Sequence, residues 1–199
     1  MRGNENFNDV LKLAEQGNTI AQAKVGGMYA SGQGVTQNYE EAIKWFRKAA
    51  EEGHVLAQTG LGMMYAKGEG VAQDYAEALK WFRKATAQGE AEAQCWLGFM
   101  YDTGLGVAKN RQEAIKWYRK AAEQGHASAQ VSLGVRYFVT EDCREFKPRI
   151  DNIEAYKWLI LAAAQGNQYA VDFRDVLKQK MTATQIAEAQ KLANEFLKK

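Results

Sequence analysis

This 199-residue sequence contains little proline and little cysteine, and it has no large excess of charge of either sign. The single proline, Pro148, leaves long stretches in which nothing interrupts a helix. Lysine and arginine total 26 against 24 acidic residues, so the strong basic excess typical of proteins that bind nucleic acid or anionic lipid is missing. With 46% hydrophobic and 25% charged residues, the composition predicts a globular, mostly helical protein.

Two cysteines, Cys95 and Cys143, are too few for a disulfide framework or for a four-ligand zinc site. A single bridge between them is left open by the count alone. Cys95 falls in a predicted helix and Cys143 in an irregular insert, which favours two unpaired thiols.

Long apolar runs are also missing. No stretch approaches the roughly 18 consecutive apolar residues that a membrane-spanning helix needs, and the first residues lack the apolar core of a signal peptide. We therefore expect a soluble chain. The compartment stays open: periplasmic or secreted if a signal peptide has been removed, and cytoplasmic otherwise.

What the sequence does contain is an internal period of 36 residues. This spacing separates Gly17, Gly53, Gly89 and Gly125, and also Trp45, Trp81 and Trp117. A fourth copy of the tryptophan segment, from Glu154 to Ala164, keeps the Ala-x-Lys-Trp core. Periods of this length are typical of repeat proteins in which small helical units stack on one another.

Each period contains two amphipathic segments, which we call helix A and helix B. Helix B carries the tryptophan, and an apolar stripe that includes Ala78, Phe82 and Ala85. Helix A lies upstream and has a glycine at its centre, such as Gly62, where glycine costs about 1 kcal/mol relative to alanine. Its recurrence predicts that helix A packs so close to helix B that a Cβ would meet the partner backbone.

Glycines also separate the helices. Helix A ends in Gly-x-Gly-Val, for example Gly68 and Gly70, where the first glycine can adopt a left-handed conformation and the second keeps the turn tight. Helix B ends at a further glycine, such as Gly53. None of these segments continues to Gly-Lys-Ser/Thr or follows a strand, so the pattern favours turns over a phosphate-binding loop.

These residues resemble the Sel1-like repeat family, which is related to the tetratricopeptide repeat. The shared pattern is Ala-Gln-x-x-Leu-Gly-x-Met-Tyr, then Gly-x-Gly-Val, then Ala-x-x-Trp-Phe/Tyr-Arg-Lys-Ala-Ala, and it extends from about residue 18 to 166. The resemblance implies an all-α, right-handed α/α superhelix (solenoid) of about four helix-turn-helix repeats, acting as an adaptor in protein complexes, commonly in bacteria. The paired cysteines of a cysteine-rich branch of this family are missing, so its properties are not carried over.

We expect a single domain over residues 1–199. Its predicted parts are a partial capping helix at 5–17, repeats at 18–53, 54–89, 90–125 and 126–166, and C-terminal capping helices at 167–199. Thr182 and Gln185 form a capping-box signature at the start of the last helix. The fourth repeat departs from the pattern, because an insert at 140–150 replaces the Gly-x-Gly-Val turn.

In tetratricopeptide-like pairs helix A lines the concave surface, so its variable positions form the candidate partner-binding site. These positions are Thr59, Met63, Lys67, Cys95, Trp96, Phe99, Asp102, Val131, Val135 and Phe138, with Ile20 and Leu56 at further flanking positions. Trp96 replaces Lys24, Gly60 and Ser132 of the other repeats, which indicates an exposed aromatic anchor. An alternative stays open, in which these side chains fill the inside of the superhelix or pack against the C-terminal cap.

Basic triplets recur in helix B, the first being Lys44, Arg47 and Lys48. Glutamates such as Glu41 lie near the helix start, which complements the helix dipole and allows ion pairs at a spacing of three or four residues. This arrangement favours solvated helix faces over a phosphate track. We therefore expect no nucleic-acid partner.

The two histidines, His54 and His126, follow helix-ending glycines two repeats apart, so they are too distant to share a metal. Asn18 and Asn167 occupy the matching positions, which predicts that the histidines start helices. No metal and no cofactor are expected.

Catalytic motifs are missing as well. The sequence contains no His-Glu-x-x-His and no Gly-x-Ser-x-Gly, and no serine is followed by lysine three residues on. We predict a non-catalytic scaffold, monomeric or weakly dimeric, that binds a peptide or partner protein in its concave groove. One alternative is a structural or assembly subunit whose apolar groove is buried by a second copy or a fixed partner; another, less favoured, is a hydrolase with an unrecognised site.

Overall fold

The computed structural model describes residues 6–138 and 151–198, and within these ranges it is entirely helical. The helices are α1 (Phe7–Glu15), α2 (Thr19–Ser31), α3 (Tyr39–Glu51), α4 (Val55–Lys67), α5 (Tyr75–Ala87), α6 (Ala91–Thr103), α7 (Arg111–Glu123), α8 (Ala127–Phe138), α9 (Asn152–Ala164), α10 (Gln168–Lys178) and α11 (Ala183–Leu197). Within each of its two compact units, most helices that follow one another pack together, as in an α-solenoid. The insert at 140–150, with Cys143, lies outside the described residues.

The chain divides into two compact units, the first ending at Asn110 and the second beginning at Arg111. The first contains α1, two complete A–B pairs (α2 with α3, α4 with α5), and α6, an A helix. The second contains α7, a B helix, then the pair α8 and α9, and then α10 and α11. The expectation of a single domain stays a prediction.

Polar side chains start the helices where the repeat pattern predicts them. Asn18 Oδ1 accepts a hydrogen bond from the Ala21 N–H at 2.9 Å. His54 Nδ1 does the same for Ala57 at 3.3 Å, and equivalent caps come from Glu90, His126 and Asn167. The predicted helix-start role of both histidines is confirmed, and so is the capping box of Thr182 and Gln185.

The glycines of the A–B turn have two different roles. Gly68 ends α4 with φ +72°, a left-handed conformation that glycine adopts without strain. Gly70 also has a positive φ, and a Cβ built on it would lie 2.6 Å from the carbonyl carbon of Tyr39, at the start of the preceding B helix. The second glycine is therefore required by a close backbone approach between consecutive repeats, besides its place in the turn.

The mid-helix glycines confirm close A–B packing but correct its predicted partner. A Cβ on Gly62 would lie 2.8 Å from the ring of Phe82, and a Cβ on Gly26 would lie 2.7 Å from the ring of Phe46. At Gly134 the nearest atom is Cγ of Leu159, at 2.9 Å. In each case the space left by glycine is filled first by a large side chain of helix B rather than by its backbone.

Buried glutamines of helix A join one repeat to the next. Gln58 donates through Nε2 to the Ala50 carbonyl of the preceding B helix, at 3.1 Å, and its Oε1 accepts from Gln88 Nε2 at 2.9 Å. Gln88 also donates to the Gly53 carbonyl at 3.0 Å. In the second unit the same links join Gln165 to Gln130 and to the Gly125 carbonyl. Polar groups that helix packing buries are thereby satisfied across the repeat junction.

Candidate partner-binding surface on the A-type helices

Within the first unit, the predicted site residues lie on α4 and α6, and they differ in exposure. Lys67 is exposed, with its ammonium 3.8 Å from a carboxylate oxygen of Glu69. Met63 is half-buried. Thr59 and Asp102 are buried, at 5% and 8% exposure, so both contribute little surface to a partner. The Thr59 hydroxyl donates instead to the Val55 carbonyl of its own helix, at 3.1 Å.

Trp96 and Phe99 form an aromatic cluster with Phe82 of the preceding B helix. The Trp96 ring stacks on Phe82, with centroids 5.7 Å apart and planes 7° apart. Phe99 meets Trp96 nearly at a right angle, with centroids 5.8 Å apart, and is 41% exposed. The indole Nε1 of Trp96 donates to Glu92 Oε1 at 2.9 Å. Trp96 is thus half-buried and held in one orientation, while Phe99 projects further into solvent.

Cys95 is a free thiol on α6. Burial raises its pKa to about 12, with a further rise from the nearby carboxylate of Glu92. At neutral pH the side chain is therefore almost entirely protonated. Its chemistry suits packing rather than nucleophilic attack, because the thiolate is the reactive form.

In the second unit, Val131, Val135 and Phe138 are half-buried on α8. Val131 and Phe138 pack against a cluster built from α9, α10 and α11. The ammonium of Lys180 lies 4.9 Å from the centroid of the Phe138 ring. The C-terminal helices therefore cover part of the surface that these residues were expected to offer.

Exposed apolar side chains concentrate at two positions of the A-type helices. Among the described residues, the exposed large hydrophobic side chains are Leu13, Ile20, Leu56, Phe99, Tyr169, Val176 and Leu197. Ile20, Leu56 and Tyr169 are the second residues of α2, α4 and α10, whereas Phe99 and Val176 are the ninth residues of α6 and α10. Positions seven residues apart lie on the same helix face.

Tyr169 and Val176 were missing from the sequence-based site, although they are 73% and 50% exposed. The sequence contains a signal for them, because Asn167 follows a helix-ending glycine just as Asn18 does. That match identifies α10 as a further A-type helix. It packs on α9 and touches α8, as the A helices α4 and α2 touch each other.

Most basic residues of helix B make side-chain contacts inside the chain. Lys44 pairs with Glu41 at 2.6 Å, and Lys80 pairs with Glu77 at 2.7 Å. Arg47 donates to the Tyr65 hydroxyl of the next A helix at 2.6 Å. The last lysine of each triplet lies over the tryptophan three residues earlier, and these lysines are Lys48, Lys84 and Lys120. The triplets thus form solvated helix faces, as their spacing predicts.

We also considered a cleft in the second unit, metal-ligand clusters and membrane-spanning helices. A cleft of about 380 Å³ lies between α9 and α11, but Asp151 caps α9 and Glu154 pairs with Lys157 at 2.7 Å. In the part of the chain that the structure describes, no three histidine, cysteine or acidic side chains converge as metal ligands. Within the same part, no helix combines the length and the apolar character needed to cross a bilayer.

A known protein family matches the chain at the same four repeats. The family model described as Sel1 repeat matches residues 19–54, 55–90, 91–126 and 127–167. A comparison with curated protein sequences gave no match.

Three solved bacterial structures are similar. A Sel1 repeat protein from Oxalobacter formigenes is 38% identical with a TM-score of 0.70, over 79% of this chain and 62% of that one. The protective antigen c5321 of uropathogenic Escherichia coli, which has an SLR fold, is 32% identical with a TM-score of 0.60, over 96% of this chain and 48% of that one. Cysteine rich protein B of Helicobacter pylori is 25% identical with a TM-score of 0.50, over 62% of this chain and 93% of that one. The chain thus spans less than two thirds of the first two proteins.

Proposed function

Because this chain belongs to the Sel1 repeat family, whose members are generally protein-interaction scaffolds, we propose that it binds a partner protein or peptide along the A-type helix face. The observation that carries the proposal is the recurrence of exposed apolar side chains at the second and ninth positions of these helices. Transfer of such side chains from water into an interface is favourable, and contiguous apolar patches on soluble proteins mark interaction sites.

The first unit offers the stronger part of this surface. Leu56 is 60% exposed and Phe99 41%, with half-buried Met63 at the ninth position of α4. Phe99 rests against Trp96, so its ring is oriented before a partner arrives. Preorganised aromatic side chains bind with a small loss of conformational entropy, and they are common among the residues that dominate interfaces.

The residues of helix A that build the core differ from those that face solvent. Leu61 and Ala57 are fully buried in the core, while the second and ninth positions vary in size and chemistry from one repeat to the next. Variable side chains on a constant frame are what a solenoid needs to recognise a particular partner. The resemblance to tetratricopeptide-like arrays implies that this face lines a groove in which a peptide or partner helix would lie.

Replacement of Phe99 by aspartate tests the proposal. We expect Phe99→Asp to lose partner capture from a lysate of the source organism, because a carboxylate replaces an apolar anchor. The matched control is Leu13→Asp, since Leu13 is 50% exposed but lies on α1, which is not one of the A-type helices. Circular dichroism would show that both variants remain folded.

The outcomes separate the alternatives. A protein held by wild type and by Leu13→Asp but lost by Phe99→Asp supports a binding face on helix A. Equal capture by all three proteins would contradict it. Sedimentation of purified wild type tests the assembly role, because a dimer that Phe99→Asp dissociates would mean that a second copy covers this face.

A further inference from the structure

Two B-helix phenylalanines of the first unit, Phe46 and Phe82, differ in what lies against their rings. Phe82 lies between Gly62 of its own A helix and Trp96 of the next one, and it is 0% exposed. Phe46 occupies the matching position 36 residues earlier, and it is 9% exposed. The residue that stands 36 positions before Trp96 is Gly60. The indole that covers the second phenylalanine thus has no counterpart at the first.

Both neighbouring A helices present a glycine to the Phe46 ring. A Cβ on Gly26 of α2 would lie 3.0 Å from the ring carbon Cε1, and a Cβ on Gly60 of α4 would lie 3.3 Å from the same carbon. The three atoms nearest to the Gly60 Cβ all belong to this ring, and Gly60 itself is partly exposed. Solvent therefore reaches the surface of α4 at the point where it borders the Phe46 ring.

The next repeat shows what the matching place holds when it is filled. Trp96 stacks on Phe82 with ring centroids 5.7 Å apart, an arrangement that stabilises aromatic pairs beyond the area that they bury. Three residues later, Phe99 meets the edge of the stack. Met63 has the same spacing from Gly60 and is half-buried, and thioethers make favourable contacts with aromatic rings. Met63 is therefore placed to flank an aromatic group beside Gly60.

The fold of the repeat does not by itself require glycine at residue 60. Glycine within a helix lowers stability relative to other residues. Gly62 has a packing reason, because its Cβ would lie 2.8 Å from the Phe82 ring. The position of Gly60 is different, since it holds lysine in α2 and tryptophan in α6. Space for a group from outside the chain would explain a glycine here.

We propose that Phe46, Gly60 and Met63 form a subsite for an aromatic side chain of the partner protein, which stacks on the Phe46 ring as Trp96 stacks on Phe82. The inference rests on the proposed function, because it names the chemistry that the A-type helix face recognises. The three residues carry no charge, so the subsite suits a neutral ring better than an ionised group. Aromatic side chains that fill such places often dominate the affinity of an interface.

Titration of the wild-type protein with indole tests the subsite directly. Phenylalanine rings and methionine methyl groups labelled with ¹³C report each residue by its NMR resonance. We expect the resonances of Phe46 and Met63 to shift with a dissociation constant on the order of 1 to 10 mM, as for a ligand of this size. The ring of Phe82, which Trp96 already covers, is the internal control. Because this titration needs no variant, it decides the subsite even if a variant fails to fold.

Gly60→Trp is the matched variant, since its indole would occupy the subsite from within the chain. We expect it to abolish the shift at Phe46 while circular dichroism matches that of wild type. Peptides selected on the wild-type protein from a random 12-residue library extend the test to a protein-like ligand. Each should contain an aromatic residue. We expect at least about a tenfold loss of affinity for Gly60→Trp, and the same loss for wild type when leucine replaces that aromatic residue.

The outcomes separate the subsite from the binding face. Indole that leaves Phe46 unshifted, or shifts it equally in Gly60→Trp, overturns the subsite and leaves the face standing. Peptides that are lost by Phe99→Asp but tolerate Gly60→Trp or leucine have the same meaning. Peptides lost by Gly60→Trp but not by Phe99→Asp support the subsite and contradict the contact at Phe99. A selection without a binder, or peptides that bind both variants as well as wild type, overturns the face and the subsite with it.

Discussion

Glu52 occupies the position that Gln88 and Gln165 have at two other repeat junctions, where the side-chain amide donates across the junction. Gln88 donates to Gln58 and to the Gly53 carbonyl, whereas a carboxylate at residue 52 has no N–H to offer. The Oε1 atom of Gln22, which corresponds to that of Gln58, is buried and has no hydrogen-bond partner. A buried acceptor without a donor destabilises the folded state.

We therefore expect Glu52→Gln to raise the free energy of unfolding by about 1 kcal/mol, because the new amide can donate to Gln22 Oε1. Urea denaturation at neutral pH would measure the change. Gln88→Glu is the reciprocal control and should lower stability, since it removes two hydrogen bonds at the next junction. No gain in Glu52→Gln would show that the junctions do not form the same link.

Two glycines within A helices should respond in opposite ways to an added methyl group or larger side chain. A Cβ on Gly62 would lie 2.8 Å from the Phe82 ring, while a Cβ on Gly27 would have no atom within 4 Å. We expect Gly62→Val to lower the free energy of unfolding by about 1 to 3 kcal/mol through overpacking. Gly27→Ala should raise it by up to about 1 kcal/mol through helix propensity. Thermal unfolding of the two variants, measured side by side, checks both predictions. If Gly62→Val were as stable as wild type, the close packing of Gly62 against the Phe82 ring would be refuted.

At the scale of the element, each described A helix starts at a side-chain acceptor, but the residue that supplies it varies. Asn18, His54, Glu90 and Asn167 all accept a hydrogen bond from the N–H three residues later. The shared requirement is an acceptor at one position, rather than one residue type. This explains why two histidines occur at matching points of the repeat.

The start of α4 provides a test of this interpretation. We expect His54→Ala to lower the free energy of unfolding by about 1 kcal/mol, since the Ala57 N–H loses its acceptor. His54→Asn should retain stability, because asparagine caps α2 and α10 in the same position. Equal losses in the two variants would mean that the imidazole contributes through packing and not through the cap. Guanidinium denaturation of the three proteins would separate these results.

At the scale of the whole molecule, basic and acidic residues are nearly equal in number, and many of them on helix B pair with each other. The Lys–Glu pairs on helix B are exposed, with 64% of the Lys44 side chain and 68% of the Lys80 side chain open to solvent. Pairs of this kind each contribute between zero and about 1 kcal/mol. On the described B helices, their effect is to place basic groups next to carboxylates.

We therefore expect the protein not to retard a 40-base-pair DNA duplex in a gel-shift assay at low salt, where non-specific binding is strongest. Replacement of Glu41, Glu77 and Glu113 by glutamine together removes three of the paired carboxylates and serves as the positive contrast, since it leaves the basic triplets unbalanced. Retardation of DNA by the wild-type protein would contradict the interpretation of these faces.

The repeat pattern by itself predicts much of the fold. Helix order, the glycines that end α1 to α7 and α9, and the caps at His54 and Thr182 all follow from local chemistry, in which a residue's conformation depends on neighbours a few positions away. Equivalent residues in several copies repeat the same signal, which makes each element easier to identify than in a chain without repeats.

The candidate surface depended more on tertiary structure. The sequence placed Phe99 on the variable face of helix A, where it is exposed, but it placed Thr59 there as well, and Thr59 is buried. Spacing along a helix determines direction to within part of a turn, whereas exposure depends on which neighbouring helix covers that direction. The groups that lie against the two glycines also depend on tertiary structure. Gly62 faces the ring of Phe82 in helix B, and Gly70 faces the backbone of Tyr39 in the preceding repeat.

By itself, then, the sequence determined the repeat, its helices and their ends, because these depend on short-range hydrogen bonds and on backbone conformation. Tertiary structure alone decided that Trp96 stacks on Phe82 beside Phe99, that α8 is partly covered by the C-terminal helices, and that Gln22 keeps an unpaired oxygen. Such features depend on contacts between residues distant in sequence, and those contacts exist only once the helices have packed.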